Sequence, residues 1–225
     1  MDYYEHLNVL HHLLTPQAYL EIGVWTGKSL ALSASRSVGI DPAPVIEVDP
    51  LGTKPWLKLY RLTSDQFFEA FDRDDVLDGA DLEFAFIDGM HRFENVLRDF
   101  ANVERWCSPQ GVIAIHDVLP AAVDWALREP AHLSWTGDVW RIVPCLHLLR
   151  PDLRLTVVDS FPSGMLLVGN LDPSSTVLRE RYDVTVAEVI GDPRPYDEQV
   201  LTYLAEVERV SVDDWLKEVR RTMVI

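Results

Sequence analysis

Short apolar runs alternate with amphipathic segments along the chain. The apolar runs are typical of buried strands and lie at 18–22, 37–41, 58–62, 82–87, 111–115, 154–158 and 165–169. Apolar residues recur at steps of three and four over 92–106, the clearest helical period in the chain. Further helices are predicted at 2–14, about 27–35, 138–149 and about 196–221. This alternation indicates an α/β fold, a doubly wound and mostly parallel seven-stranded sheet with helices on both faces.

The chain length of 225 residues suits one such domain with a sizeable core. We expect a single domain over 1–225, in which 1–16 is a leading helix that could act as a lid, 17–170 is the core and 175–225 is a C-terminal helical segment. No apolar run approaches the roughly 20 residues needed to span a bilayer. The first ten residues carry acids where a signal peptide carries basic residues, so we expect a cytoplasmic protein.

The charge of the chain narrows the choice of partners. There are 36 acidic and 20 basic side chains, which gives a net charge of −16. Such a surface repels phosphate backbones and anionic lipids, so we expect no nucleic acid and no membrane as partner. A neutral or cationic small molecule is favoured, and a homo-oligomer stays open. The two cysteines, Cys107 and Cys145, lie in apolar helical patterns and are predicted to be buried thiols.

A glycine turn follows the first predicted strand. The segment EIGVWTGKS places Gly23 and Gly27 four residues apart, two residues after Glu21. Asp41 ends the next strand, 20 residues after Glu21, at a distance that suits hydrogen bonds to ribose hydroxyls. The spacing is not the G-x-G-x-x-G of dinucleotide folds, and a carboxylate before the turn repels a pyrophosphate. The carboxylate suits the ammonium and sulfonium groups of S-adenosylmethionine. The alternative is that the glycine turn has only a structural role.

Four polar side chains follow two later strands. The fourth strand ends in Asp88-Gly-Met-His91, and the fifth ends in His116-Asp117. In open parallel sheets ligands bind beyond the carboxyl ends of the strands, so this is where chemistry is expected. Three of these residues also have a structural interpretation: a helix N-cap for Asp117, a satisfied strand-end histidine for His116 and a helix-start residue for His91.

Two segments together carry a family resemblance, EIGVWTGKS and FIDGMHRFENVLRDFANVERWCSPQGVIAIHD. They resemble the class I S-adenosylmethionine-dependent methyltransferases, in particular the rhamnosyl and macrocin-type sugar O-methyltransferases and the cephalosporin hydroxylase relatives, and more distantly the catechol O-methyltransferases. The resemblance covers roughly 17–120 and is weaker to about 170. It implies a Rossmann-like fold and methyl transfer to a hydroxyl of a sugar or another natural product.

The resemblance also implies roles for individual residues. Glu21, Gly23 and Gly27 would line the methionine side, Asp41 would hold the ribose, and 63–65 would contact the adenine unless it is only a helix N-cap. The predicted residues that bind S-adenosylmethionine are Glu21, Gly23, Trp25, Gly27, Ser29, Asp41, Ser64, Asp65 and Asp88. His91 would be the general base, with Asp88 beside it, because an alcohol needs help to lose its proton at neutral pH.

In metal-dependent relatives the positions that match Asp88, His116 and Asp117 hold a divalent cation. His116 stands where those sites have a carboxylate, and imidazole suits Zn, Fe or Ni better than Mg. Three readings stay open: a softer ion, a cation held by Asp88 and Asp117 without His116, or no metal. The functional alternatives are a non-catalytic protein that binds S-adenosylmethionine and a hydroxylase-like relative with a redox metal. The segment 135–140 is either a wall for the methyl acceptor or helix-start packing.

Overall fold

The computed structural model describes residues 1–130 and 134–222. Its strands are β1 (Ala18–Ile22), β2 (Arg36–Ile40), β3 (Leu57–Tyr60), β4 (Leu82–Ile87), β5 (Cys107–His116), β6 (Arg154–Asp159), β7 (Met165–Gly169) and β8 (Val210–Ser211). Its α-helices are α1 (Tyr3–Leu14), α2 (Ser64–Ala70), α3 (Arg73–Leu77), α4 (Phe93–Glu104), α5 (Ile142–Leu149), α6 (Val177–Glu180), α7 (Tyr182–Ile190), α8 (Tyr196–Glu206) and α9 (Val212–Thr222). Short 3₁₀ turns occupy Leu30–Leu32 and Val139–Arg141.

All the described strands form one sheet in the order β3-β2-β1-β4-β5-β7-β6-β8. Strands β1 to β5 pair in parallel, whereas β7 is antiparallel to both β5 and β6. The predicted Rossmann-like, mostly parallel sheet is therefore confirmed. An eighth strand is added to the predicted seven because Val210–Ser211 pairs with β6 at the edge. Two residues are too few for a strand pattern to show in the sequence.

Apolar layers cover both faces of the sheet. On one face α4 buries its predicted stripe, including Phe93, Leu97 and Phe100, against the strands. On the other face α1 buries Leu7 and Leu10. Burial of one such side chain contributes roughly 1.5–3 kcal/mol, so these two layers hold the strand ends in fixed positions. The two cysteines are buried free thiols, as predicted.

The helix predicted at about 27–35 is wrong. The connection from β1 to β2 has 13 residues, 23–35, and its first part forms turns rather than a helix. Only the 3₁₀ turn at Leu30–Leu32 follows, and Ser33 ends it in an extended conformation. The ammonium of Lys54 donates to the carbonyl of Ser33 at 2.5 Å, which fixes this end of the connection. Lys28 therefore opens no helix; it is exposed and pairs with Glu47 at 2.9 Å.

The helix predicted at about 196–221 is also wrong as a single element. It is divided into α8 and α9, with β8 between them. The helix predicted at 138–149 begins with the 3₁₀ turn before α5. No α-helix within 1–130 or 134–222 is both long enough and apolar enough to cross a membrane.

Helix α1 lies on the sheet and is tied to the turn between β6 and β7. It begins with a capping box, in which Asp2 accepts from the Glu5 amide and the Glu5 carboxylate accepts from the Asp2 amide. The amide of Tyr3 donates to the carbonyl of Phe161 at 2.9 Å, and His6 Nδ1 lies 2.6 Å from Ser160 Oγ. As described, α1 is therefore a packed wall of the molecule, and nothing in these contacts supports the lid expected from the sequence.

Candidate active site

A cavity of about 720 Å³ opens at the carboxyl edge of the parallel strands. It is where the rule for open α/β sheets places a ligand. Its walls come from the residues that follow β1, β2, β4 and β5, from the start of α2, and from 134–136 and 162–163. Five of the lining residues are aromatic, namely Tyr3, Tyr4, Trp25, Trp125 and Trp135.

Gly23 brings the ends of β1 and β4 into contact. Its φ is +89°, and a Cβ on this residue would lie 1.9 Å from the carbonyl oxygen of Asp88. Only glycine fits there, because the conformation is left-handed and the space is occupied by backbone. The amide of Gly23 donates to the carbonyl of Ile40 at 2.9 Å, so the same residue also touches β2. Gly23 therefore joins the ends of β1, β2 and β4.

Asp41 holds the glycine turn from the end of β2. One of its oxygens accepts from the amide of Trp25 at 2.7 Å, and the other accepts from the amide of Ala43 at 2.8 Å. Each carboxylate oxygen can accept a second hydrogen bond, so capacity for a ribose hydroxyl remains. Trp25 has a left-handed φ of +43°, and 66% of its surface is exposed at the mouth of the cavity.

Glu21 and Gly27 do not line the cavity, which corrects their predicted places on the methionine side. Glu21 is fully buried, and it accepts hydrogen bonds from the Tyr19 hydroxyl at 2.6 Å and the Ser29 hydroxyl at 2.7 Å. Burial raises the pKa of Glu21 to about 8. Glu21 thus orients Ser29, which does line the cavity, while the missing Cβ of Gly27 leaves room for Ile46.

The start of α2 is a helix cap whose following residues line the cavity. Thr63 caps the helix, accepting from the amide of Gln66 at 3.2 Å, while Ser64 and Asp65 line the cavity. Asp65 is paired with Arg98 at 2.5 Å. Behind them Asp99 is a buried carboxyl that the sequence analysis missed, and burial raises its pKa to about 7.

Strands β4 and β5 bring the four predicted polar residues together. The two strands pair in parallel, with Ile87 opposite Ile115. One ligand atom from each of Asp88, His116 and Asp117 lies within 4.8 Å of the others. His116 Nδ1 is 3.4 Å from Asp88 Oδ1 and 3.4 Å from Asp117 Oδ1.

His91 faces oxygen atoms through both ring nitrogens. Its Nε2 lies 3.2 Å from Asp88 Oδ1, and its Nδ1 lies 3.0 Å from the Trp135 carbonyl and 3.2 Å from Asp117 Oδ2. Burial alone would lower the pKa of His91, but Asp88, Asp117 and the carbonyl raise it to about 9. Burial would raise the pKa of Asp88, but His116 and His91 hold it well below its usual range.

Ser163 assigns the tautomer of His116. Its hydroxyl donates to Asp117 Oδ1, so it can only accept at its contact of 3.4 Å with His116 Nε2. The proton of a neutral His116 therefore sits on Nε2, and Nδ1 presents a lone pair to two carboxylates. Nδ1 has no hydrogen-bond partner, although Asp117 and Asp88 raise the pKa of His116 against the effect of burial. A lone pair so placed needs a proton or a cation, and the donor set of Asp88, His116 and Asp117 fits a divalent cation.

The positions of these residues bear on their structural interpretations. Asp117 caps no helix, because none occurs in the described residues 117–130, and it adopts a left-handed φ of +64°. His91 precedes Arg92, the N-cap of α4, and its ring faces the carboxylates. His116 is buried at the end of β5, with Nδ1 between Asp88 and Asp117.

The described part of 118–138 closes the cavity above His91. A Cβ on Gly137, whose φ is +61°, would lie 1.7 Å from the His91 carbonyl oxygen, so this segment touches His91 as closely as backbone allows. Buried Asp138 anchors it by accepting from the Phe93 amide at 2.8 Å and from Arg128 at 2.5 Å. Within 135–140, Trp135 lines the cavity, whereas 138–140 is buried.

Several lining residues were missed by the sequence analysis. Ser163 lies in a Phe-Pro-Ser-Gly turn before β7, and its turn residues were the only sequence signal. Tyr3, Trp125 and Asn95 carried no signal of function. Their proximity depends on β7 inserting beside β5 and on where α1 packs.

Comparison with known proteins agrees with this architecture. Residues 20–118 match the family model described as a methyltransferase domain. The expected resemblance to the class I S-adenosylmethionine-dependent methyltransferases is therefore confirmed. The sugar O-methyltransferase subgroup stays a prediction. No curated protein matches the chain significantly.

Solved structures share the fold at low sequence identity. The O-methyltransferase TomG from Streptomyces achromogenes, involved in tomaymycin synthesis and in complex with S-adenosylmethionine, is 19% identical over 73% of this chain and 78% of its own, with a TM-score of 0.55. An O-methyltransferase from Bacillus cereus in complex with S-adenosylhomocysteine is 16% identical over 73% and 79%, with a TM-score of 0.55. The methyltransferase PaMTH1 of Podospora anserina, bound to S-adenosylhomocysteine, is 14% identical over 75% and 78%, with a TM-score of 0.57.

Proposed function

We propose that this protein is an S-adenosylmethionine-dependent O-methyltransferase that acts on a hydroxyl of a small molecule, a sugar or another natural product. The observation that carries the proposal is the imidazole of His91, held between Asp88 and Asp117 in the cavity that also contains the glycine turn and Asp41. S-adenosylmethionine, when bound, supplies an electrophilic methyl group on a positively charged sulfur.

The lining of the cavity supports binding of a cationic donor. Its four carboxylates, Asp41, Asp65, Asp88 and Asp117, outnumber the two histidines with raised pKa, His91 and His116, and there is no lysine or arginine among the described lining residues. Gly23, Trp25 and Ser29 would contact the methionine side, Asp41 the ribose, and Ser64 with Asp65 the adenine. The structures of TomG and of the Bacillus cereus enzyme hold this donor or its demethylated product on the same fold.

His91 would accept the proton of the hydroxyl as the methyl group is transferred, and it would do so in its neutral form, which a pKa of about 9 makes the minor form near pH 7. An unassisted alcohol is almost entirely protonated near pH 7, so a base in contact with it lowers the barrier. Asp88 and Asp117 would stabilise the imidazolium that results, because each places a carboxylate oxygen 3.2 Å from a ring nitrogen. The Trp135 carbonyl would keep the ring in that orientation.

A divalent cation would be held by Asp88, His116 and Asp117 and would lower the pKa of a bound hydroxyl. The imidazole in this set favours Zn, Fe or Ni over Mg. Cations other than Mg should therefore restore activity best after a chelator has removed it. Full activity in the presence of a chelator would contradict a role for the cation while leaving methyl transfer intact.

Calorimetry with S-adenosylhomocysteine tests donor binding, and a panel of sugars, phenols and other small alcohols with methyl-labelled S-adenosylmethionine tests transfer. We expect heat of binding and label in at least one hydroxyl compound. Absence of heat would overturn the proposal. Binding without transfer would favour the non-catalytic alternative. Consumption of oxygen with added Fe(II) would favour the hydroxylase-like alternative, for which His116 in the ligand set is the supporting observation.

A cytoplasmic location is part of the proposal.

A further inference from the structure

The ring of Tyr3 covers the imidazole of His116. Tyr3 is the first residue of α1, and its ring centroid lies 4.2 Å from that of His116, with 31° between the planes. The ring also faces Phe86 at 6.4 Å and lines the cavity. Tyr3 lies outside 20–118, the part of the chain that matches the methyltransferase domain.

Ser163 touches the same imidazole at its edge. Its side chain is buried, contacts His116 Nε2 at 3.4 Å and donates to Asp117. The turn that carries Ser163 is bonded to the start of the chain, since the Tyr3 amide donates to the Phe161 carbonyl and the Phe161 amide donates to the Met1 carbonyl at 3.2 Å. Tyr3 and Ser163 are therefore held as one unit around His116.

We propose that Tyr3 and Ser163 are positioning residues that fix the ring of His116 with Nδ1 facing Asp88 and Asp117. A half-turn of the ring about its bond to Cβ would replace Nδ1 by a carbon, which can neither bind a cation nor accept a proton. Tyr3 limits this rotation by packing on the face of the ring, and Ser163 limits it by accepting from Nε2. The inference rests on the proposed function for its consequence, the cation site, but the ring orientation is testable without it.

The consequence for the cation site is quantitative. Partners that orient a ligating histidine typically change metal affinity by about 10-fold to 100-fold. The ring of Tyr3 should account for the effect of substituting this residue. The hydrogen bond from the Tyr3 amide to the Phe161 carbonyl is made by the backbone and does not depend on the side chain. Tyr3→Phe should therefore behave like the natural protein, and Tyr3→Ala should not.

The experiment compares Tyr3→Ala, Tyr3→Phe, Ser163→Ala and a control, Asn8→Ala, which changes an exposed position on the same helix. Zn²⁺ and Mn²⁺ affinities of the full chain are measured by calorimetry. We expect about tenfold weaker binding for Tyr3→Ala and Ser163→Ala and less than twofold change for Tyr3→Phe and Asn8→Ala. S-adenosylhomocysteine affinity and melting temperature identify variants that have lost the cavity or the fold.

Histidine-labelled protein without metal gives the second readout. The ring nitrogen signals of His116, assigned by their loss in His116→Gln, should be single in the natural protein and in Tyr3→Phe. They should be doubled or broadened in Tyr3→Ala and Ser163→Ala. Unchanged signals in both alanine variants would overturn the positioning role. If no variant, the natural protein included, binds a cation, the metal in the proposed function fails while the ring signals still decide this inference.

Discussion

The two sides of the cavity hold their carboxylates in different ways. On the turn side, formed by the residues after β1 and β2, Asp41 is held by backbone amides and Glu21 by hydroxyls. On the imidazole side, formed by the residues after β4 and β5, Asp88 and Asp117 face two histidines. Amides and hydroxyls keep their protons, whereas an imidazole can gain or lose one, as His91 does with a pKa of about 9. In the proposed function the turn side would therefore attract a fixed positive charge, and the imidazole side would move a proton.

The largest effect is expected on the imidazole side. His91→Ala should lower kcat by about 100-fold or more, because it removes the proposed base. S-adenosylhomocysteine affinity should change little, since the turn side is intact. Steady-state kinetics and calorimetry check both parts, with exposed His147→Ala as the matched control. Weaker product binding with an unchanged kcat would refute the role of His91 and erase the contrast between the sides.

Glu21 gives a pH dependence to stability on the turn side. Burial raises its folded pKa to about 8, above the value of about 4.5 expected when unfolded. The protonated form therefore contributes stability that is complete below about pH 4.5 and is lost as the pH rises through about 8. Glu21→Gln should be more stable than the natural protein at pH 9 by on the order of 2 kcal/mol and similar to it at pH 5.

Urea unfolding at the two pH values measures this difference. Exposed Glu69→Gln serves as the control and should follow the natural protein at both. A constant difference between Glu21→Gln and the natural protein from pH 5 to 9 would mean that Glu21 is ionised throughout, in which case the turn side carries one more fixed negative charge.

Asp41→Asn should weaken S-adenosylhomocysteine binding by about tenfold. The substitution replaces the charged acceptor of the hydrogen bonds that hold the turn and that would hold the ribose. Hydrogen bonds to charged groups contribute about 1.5–3 kcal/mol. The kcat at saturating donor should be nearly unchanged. Exposed Asp49→Asn, in the segment after Asp41, is the control for calorimetry. A fall in kcat without a change in affinity would place Asp41 with the proton-moving groups instead.

The smallest effect is expected at the start of α2. Ser64→Ala should weaken S-adenosylhomocysteine by about threefold, the value of one neutral hydrogen bond. The N-cap is Thr63, so the helix should be retained. Thr63→Ala is the comparison. It should lower the melting temperature and leave the affinity for S-adenosylhomocysteine nearly unchanged. An affinity loss confined to Thr63→Ala would leave this segment as a helix cap alone.

Local sequence patterns predicted the features that depend on a single segment of the chain or on neighbouring strands. The strands at 18–22, 82–87 and 165–169 match their predicted bounds, because strands buried on both faces of a sheet are short continuous apolar runs. Asp88, His91, His116 and Asp117 were found because two adjacent strands of a parallel sheet end at one edge. The contacts between distant segments were not predicted. These are the contacts of Trp135 with His91 and of Tyr3 and Ser163 with His116.

The errors have physical causes as well. The segment 27–35 has enough helix formers to suggest a helix, but a turn that closes beside the cavity leaves room only for a 3₁₀ turn. Glu21 was expected in the cavity because its position in the motif is close to Gly23. Side chains alternate across a strand, however, and the Glu21 side chain is buried with Tyr19 and Ser29.

The contact between Gly23 and the Asp88 carbonyl has a consequence for engineering. In the proposed function this one backbone contact would set the distance between the methyl donor and the residues that move the proton, so a change there should disturb donor affinity and turnover together. Tyr4 and Trp125, here called the outer wall, also line the cavity and belong to segments other than the two that meet at this junction. Selectivity for new alcohols should therefore be sought by varying the outer wall, with the glycine left in place.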